Sequence, residues 1–153
     1  MLPTNYKLTV HTPFDKLTTL EANQIVSFLF EHLEEYGDKK NDIFMAIQYA
    51  MRETTSPGGF VLKMTEVNGK IAGAVVVNKT GMEGYIPENI LVYIAVHTDH
   101  RGKGIGKKLM QAAIKQANGD IALHVEPDNP AKFLYEKLGF ENKYLEMRLK
   151  NPS

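Results

Sequence analysis

The chain has 153 residues, of which 43% are hydrophobic and 24% are charged, the composition of one globular domain. Eighteen Lys and Arg residues balance eighteen Asp and Glu residues, so no overall charge favours binding to nucleic acid or an anionic membrane. The lack of cysteine excludes disulfides, thiolate metal sites and a cysteine nucleophile. The lack of a long apolar run or an apolar leader leads us to expect a soluble cytoplasmic protein.

The first third of the chain predicts one strand and two helices. Residues 6–10 alternate apolar and polar side chains, which is typical of a strand. Thr18 and Glu21 have the spacing of a capping box, and the helical pattern that follows ends at Gly37. A second helical pattern begins near Asn41.

An acidic stretch lies between these two helices. Its candidate substrate residues are Glu34, Glu35 and Tyr36, followed by Asp38. The stretch is either a solvated helix end or an acidic mouth that attracts a cationic amine. Tyr93, on a later strand, is a further candidate for contact with the substrate.

The middle of the chain predicts an antiparallel meander. Residues 60–67 and 70–78 flank Asn68 and Gly69, a pair typical of a two-residue hairpin turn. A third strand starts at Ile90. Because consecutive hairpins make antiparallel neighbours, this lead-in excludes a Rossmann domain.

The strand at Ile90 is followed by a glycine-rich turn and a helix. Residues 101–106, the glycine turn, read Arg-Gly-Lys-Gly-Ile-Gly. A helix start leaves backbone N–H groups unpaired, and glycines let a ligand approach them, so the sequence predicts an anion cradle. The spacing excludes both a P-loop and a dinucleotide fingerprint. The alternative is a structural turn on a basic surface.

The remaining chain predicts a strand over residues 120–126, parallel to the strand at Ile90 because a helix separates the two. Pro130 suits the first turn of a short helix that ends near Gly139. Residues 144–149 alternate and predict a last strand.

The ordered motifs resemble the GNAT superfamily of acetyl-CoA-dependent N-acetyltransferases. They are Leu-Val-Tyr-Ile-Ala-Val from Leu91, the glycine turn, Leu-His-Val-Glu-Pro-Asp-Asn from Leu123, and Leu-Tyr-Glu-Lys-Leu-Gly-Phe up to Phe140. The resemblance implies an α+β fold in one domain over residues 1–153. Its central, mostly antiparallel sheet would have one splayed parallel strand pair and about four flanking helices.

The resemblance also implies a binding mode for acetyl-CoA, with no metal. Backbone groups of the strand at Ile90 would pair with the pantetheine arm between the splayed strands, and the amides of the glycine turn would hold the pyrophosphate. Asn129 would bind the cofactor, or cap a turn. The residues that the resemblance assigns to the cofactor are Ile94, Ala95, Val96, Arg101, Gly102, Lys103, Gly104, Ile105, Gly106, Lys107, Asn129 and Tyr135.

Catalysis needs an acid for the departing thiolate and a base for the attacking ammonium. Tyr135 matches the family's tyrosine near the cofactor sulfur and is the candidate acid; its alternative role is core packing. Glu88 and His124 are the candidate bases, although a lone histidine in a strand is usually structural. His97 and His100 are interpreted as turn or phosphate-side residues.

The resemblance therefore implies transfer of an acetyl group to a primary amine of a small molecule or peptide, by direct attack of the amine on the thioester. Two alternatives are a non-catalytic acyl-CoA sensor and an unrelated nucleotide-binding domain. Two positions depart from the family pattern: Thr98 stands where proline is common, and the chain is short after Phe140. The short end leaves room for a partner subunit, as in a homodimer.

Overall fold

The computed structural model describes residues 5–152, which divide into two compact units, one up to Leu123 and one from His124. The elements of the first unit are β1 (Tyr6–His11), α1 (Thr19–Leu33), α2 (Lys40–Met51), β2 (Gly59–Glu66), β3 (Ile71–Lys79), β4 (Asn89–Val96), α3 (Ile105–Gln116) and β5 (Ile121–Leu123). Short 3₁₀ turns cover Glu34–Tyr36 and Thr98–His100. The second unit contains α4 (Lys132–Lys137).

The five strands form one sheet in the order β1-β2-β3-β4-β5. The first four strands pair antiparallel in sequence order, which confirms the predicted meander. The pair β4 and β5 is parallel, as the intervening helix α3 required. Over residues 5–152 the fold is thus a mixed α/β fold with a mostly antiparallel sheet, one parallel strand pair and four α-helices.

Helices α1, α2 and α3 cover both faces of this sheet. The buried faces of α1 and α2 form one core cluster with Val61, Ala74, Val76, Tyr93 and Ala95 of the sheet. A Cβ atom at Gly73 would meet Leu109 and Ile105 of α3 instead. Because neighbouring residues of a strand point to opposite faces, α3 lies on the face opposite α1 and α2.

The start of α1 matches the predicted capping box. Thr18 Oγ1 accepts from the amide of Glu21 at 3.1 Å, and the Glu21 carboxylate accepts from the amide of Thr18 at 2.9 Å. The helix itself ends earlier than predicted, at Leu33, and a 3₁₀ turn continues to Tyr36.

The hairpin between β2 and β3 differs from the two-residue turn that Asn68 and Gly69 predicted. The amide of Gly69 donates to Glu66, and the amide of Glu66 donates to Lys70, so the loop has three residues. Gly69 has a positive φ of 87°, whereas Asn68 does not have the positive φ that a type I′ turn requires.

The prediction of a last strand over residues 144–149 was wrong, since the described part of the chain contains no strand after α4. The large apolar side chains of this segment are exposed: Tyr144, Leu145, Met147 and Leu149. An alternating sequence forms a strand only where a neighbouring strand edge supplies hydrogen bonds. Within the described residues, residues 144–149 do not pair with such an edge. Within residues 5–152, no helix has the length and apolar character needed to cross a membrane.

Candidate active site

The glycine turn has the backbone shape of an anion cradle. Gly102 and Gly104 both have a φ of 80°, in the left-handed region that favours glycine. Gly104 is the N-cap of α3 and provides no side-chain cap, so the first amides of this helix are left to other partners. A Cβ atom at either glycine would meet nothing within 4 Å, so the space in front of the turn is open.

The strand before this turn has a backbone edge that its neighbour does not cover. The pairing of β4 with β5 ends at Leu91, and the pairing with β3 skips Val92, which makes a bulge. The amide of His97 donates to Ala72 of β3. Because backbone direction alternates along a strand, the N–H and C=O groups of Ile94 and Val96 point away from β3.

Ala95 is the third residue of β4 that the family resemblance assigns to the cofactor, and its groups point in other directions than those of Ile94 and Val96. Its backbone points toward β3, where it pairs with Ala74, and its side chain is buried in the core shared with α1 and α2. Neither group is directed toward the open edge of β4.

The side chain of Arg101 points from the glycine turn toward the end of α1. Its Nη2 donates to the carbonyl of His32 at 2.9 Å, and its Nε donates to the carbonyl of Val96 at 3.4 Å. Its Nη1 lies 3.5 Å from Glu34 Oε1. The guanidinium is therefore committed to protein groups, whereas Lys103 and Lys107 are exposed around the turn.

The acidic loop, residues 34–38, contacts the middle of β4. The hydroxyl of Tyr93 donates to Asp38 Oδ2 at 2.6 Å. Tyr93 is buried, and this burial raises the pKa of its phenol, with Asp38 raising it further. The sequence predicted Tyr93 and the acidic stretch that contains Asp38 as substrate-side features, but not the contact between them, because only the fold brings together residues 55 positions apart.

His32, near the end of α1, was not predicted from the sequence to belong to this region. It is buried, and its ring lies 4.1 Å from the ring of His97, between centroids. Nδ1 accepts from the amide of Thr98 at 3.4 Å, and Nε2 lies 3.0 Å from the Glu31 carboxylate. Burial, then the nearby His97, lowers the pKa of His32, so the ring is neutral with its proton on Nε2.

His97 and His100 make contacts within and beside the turn that precedes α3. His97 Nδ1 accepts from the amide of Asp99 at 3.1 Å. His100 Nδ1 lies 2.6 Å from the hydroxyl of Tyr6, and its Nε2 lies 3.3 Å from Glu66. These contacts attach the residues before the glycine turn to β1 and β2.

Glu88, one of the two candidate bases, holds backbone at the start of β4. Its carboxylate accepts from the amide of Asp120 at 2.6 Å and from that of Gly84 at 3.1 Å. These hydrogen bonds lower the pKa of Glu88. Eight residues of strand, about 26 Å, separate it from Val96. The contacts favour a structural role for Glu88.

Three candidates lie in the second unit. Tyr135 is 8% exposed, its ring meets Phe140 edge-on at 6.1 Å, and burial raises the pKa of its phenol. Asn129 Oδ1 accepts from the amide of Ala131 at 2.9 Å, as in a turn before a helix. His124 is exposed directly after β5.

The chain is similar to known acetyltransferases. Residues 23–140 match the acetyltransferase (GNAT) family. An N-alpha-acetyltransferase of Saccharolobus solfataricus is 32% identical over 129 residues, covering 80% of this chain and 68% of the relative. An acetyltransferase of Pectobacterium atrosepticum is 37% identical over 83 residues, which cover 51% of this chain and 55% of the relative.

A solved structure shows the same fold. The ribosomal-protein-alanine N-acetyltransferase of Brucella melitensis superposes with a TM-score of 0.62 at 18% identity, covering 95% of this chain and 99% of the other. The chain belongs to the acetyltransferase (GNAT) family. It is an enzyme of the acyltransferase class.

Proposed function

We propose that this enzyme transfers the acetyl group of acetyl-CoA to a cationic primary amine. The observation that carries the proposal is the hydrogen bond between Tyr93 and Asp38. It holds the acidic loop against β4 where the open edge of that strand begins. A carboxylate at this place attracts an ammonium group.

The acetyl-CoA site is proposed from the backbone of the same unit. The amides of the glycine turn and the first turn of α3 would hold the pyrophosphate, with Lys103 and Lys107 adding charge. The outward backbone groups of Ile94 and Val96 would pair with the amides of the pantetheine arm, as an added strand pairs with a sheet edge. Asn129 is proposed to bind the cofactor, as the family resemblance implies.

The chemistry needs three proton movements. The ammonium loses one proton before its nitrogen bonds to the thioester carbon, and the nitrogen loses a second proton as the C–S bond breaks and the amide forms. The released thiolate gains the third proton. Tyr135 is the proposed donor to that thiolate, and its raised pKa keeps the phenol protonated at neutral pH. His124 is the remaining candidate for a base, since the carboxylate of Glu88 is engaged by two amides.

The acceptor is proposed to be a peptide amino terminus ahead of a small amine. The relative from Saccharolobus solfataricus is named an N-alpha-acetyltransferase, and its alignment spans most of this chain. An α-amine also has a lower ordinary pKa, about 7.7–8.0, than a lysine amine, so less base is needed to make it neutral.

The acidic loop can be tested with an isosteric change of one charge. We expect Asp38→Asn to raise the KM for a peptide acceptor about tenfold, because a charged hydrogen-bond acceptor near the ammonium is lost. The KM for acetyl-CoA should stay within about twofold. Asp15→Asn, at an exposed position in the loop between β1 and α1, is the matched control. Equal acceptor KM values for the two variants would remove the acidic loop from the acceptor site.

A further inference from the structure

Arg101 belongs to the glycine turn by sequence, but its half-exposed side chain points away from that turn. Its three guanidinium nitrogens reach the end of α1, the end of β4 and the acidic loop. We propose that Arg101 is a positioning residue that sets the shape of the acceptor side of the site from within the cofactor turn. This inference rests on the proposed function.

The contacts at α1 and β4 give the guanidinium a fixed place. His32 is in the last turn of α1, where carbonyl groups lack helical partners and attract positive charge. Val96 is the last residue of β4, and its carbonyl lies on the open edge. The planar fork of arginine can serve both acceptors and a carboxylate at once, which the single ammonium of lysine cannot.

The third contact acts on the acidic loop. Glu34 has a φ of 56°, a left-handed conformation that is unfavourable for a residue with a side chain, and it is the C-cap of α1. Its carboxylate meets Arg101 at 3.5 Å. Four residues further on, Asp38 meets Tyr93. Arg101 and Tyr93 therefore hold the two ends of the acidic loop.

The size of these interactions decides where their effect should be measured. The side chains of Arg101 and Glu34 are 49% and 51% exposed, so their ion pair adds little to folding stability. A displacement of the loop by even 1 Å would nevertheless misplace an acceptor. The expected effect is therefore on acceptor binding and not on the melting temperature.

The test compares Arg101→Gln with Lys103→Gln, which removes a charge from the same turn. For Arg101→Gln we expect an acceptor KM raised about fivefold or more, with the Kd for acetyl-CoA within about twofold. For Lys103→Gln we expect the reverse, a weaker acetyl-CoA Kd and an unchanged acceptor KM. If Arg101→Gln instead weakens acetyl-CoA alone, Arg101 is a phosphate ligand and the proposal is overturned.

Two further variants separate positioning from charge and from general damage. Arg101→Lys keeps the charge but should not restore the acceptor KM, because the fork is lost. Glu34→Gln added to Arg101→Gln should raise the acceptor KM by less than the product of the two single effects. Full rescue by lysine, or effects that multiply, would contradict the proposal. If the proposed function itself is wrong, the result differs from all of these, because the wild-type enzyme would then acetylate no amine.

Discussion

Gly102 and Gly104 have backbone angles that residues with a side chain rarely adopt, yet the space around each would accept a Cβ atom. Their requirement for glycine is therefore conformational, together with the access that a ligand needs. Gly69, at the hairpin between β2 and β3, has the same combination, a φ of 87° and open surroundings. It provides a control with equal backbone strain and no proposed ligand.

We therefore expect Gly104→Ala and Gly69→Ala to lower the free energy of unfolding by a similar amount, about 1–2 kcal/mol. Only Gly104→Ala should weaken acetyl-CoA, by about tenfold, because the amides of the cradle move. Denaturant unfolding and calorimetric titration measure the two quantities. Equal acetyl-CoA affinity in both variants would contradict the assignment of the pyrophosphate to this turn.

Tyr135 is buried with a raised phenol pKa, a state suited both to core packing and to proton donation. We expect Tyr135→Phe to retain acetyl-CoA binding and to lower turnover by about 10², since only the hydroxyl is removed. Single-turnover measurements at saturating acetyl-CoA check this. Turnover equal to wild type would leave Tyr135 as a packing residue.

At the residue scale, the sequence predicted the groups that act through the backbone better than those that act through side chains. The glycine turn could be predicted because spacing alone determines which positions lack a Cβ atom. The contact of Asp38 with Tyr93, the position of His32 and the direction of the Arg101 side chain could not be predicted, because each depends on contacts between residues distant in the chain.

Among the elements, α1 begins at a capping box and ends beside a cluster of titratable side chains around His32. His32, near its C-terminus, has a pKa below the ordinary 6.5 because it is buried beside His97, with Arg101 lowering it and Glu31 and Glu34 raising it. The unfolded chain thus binds a proton at His32 more readily than the native protein does.

Native stability should therefore contain a contribution that is complete above pH 6.5 and is lost as the pH falls from there toward the lower native pKa. We expect His32→Gln to flatten the pH dependence of the urea midpoint below pH 6.5. The flattening is measured against the wild-type profile recorded under the same conditions. A profile unchanged by His32→Gln would show that other groups cause the loss.

The elements that local pattern specifies were predicted well, and the failures have a common cause. Capping and periodicity gave α1, α2 and α3. Alternation gave β1, the hairpin pair Asn68 and Gly69 gave β2 and β3, and the apolar run that starts at Ile90 gave β4. The hairpin loop differed because Glu66 and Lys70 pair across three residues. Residues 144–149 have strand alternation, but a strand also needs a partner edge, which no local pattern supplies.

For the whole molecule, the family match over residues 23–140 crosses the division between the two compact units at Leu123. We propose on this basis that both units belong to one acetyltransferase domain. The central claim is then that acetyl-CoA is consumed only when an amine is acetylated.

The most direct measurement is free thiol released from acetyl-CoA by the full chain against polyamines, amino acids, aminoglycosides and peptides, with mass analysis of each acceptor. We predict that at least one cationic amine or peptide amino terminus gains one acetyl group for each CoA released, and that the same acceptor with its amine already acetylated gives none. If the protein binds acetyl-CoA but no amine in the panel causes thiol release, the result would contradict the account and favour a non-catalytic sensor.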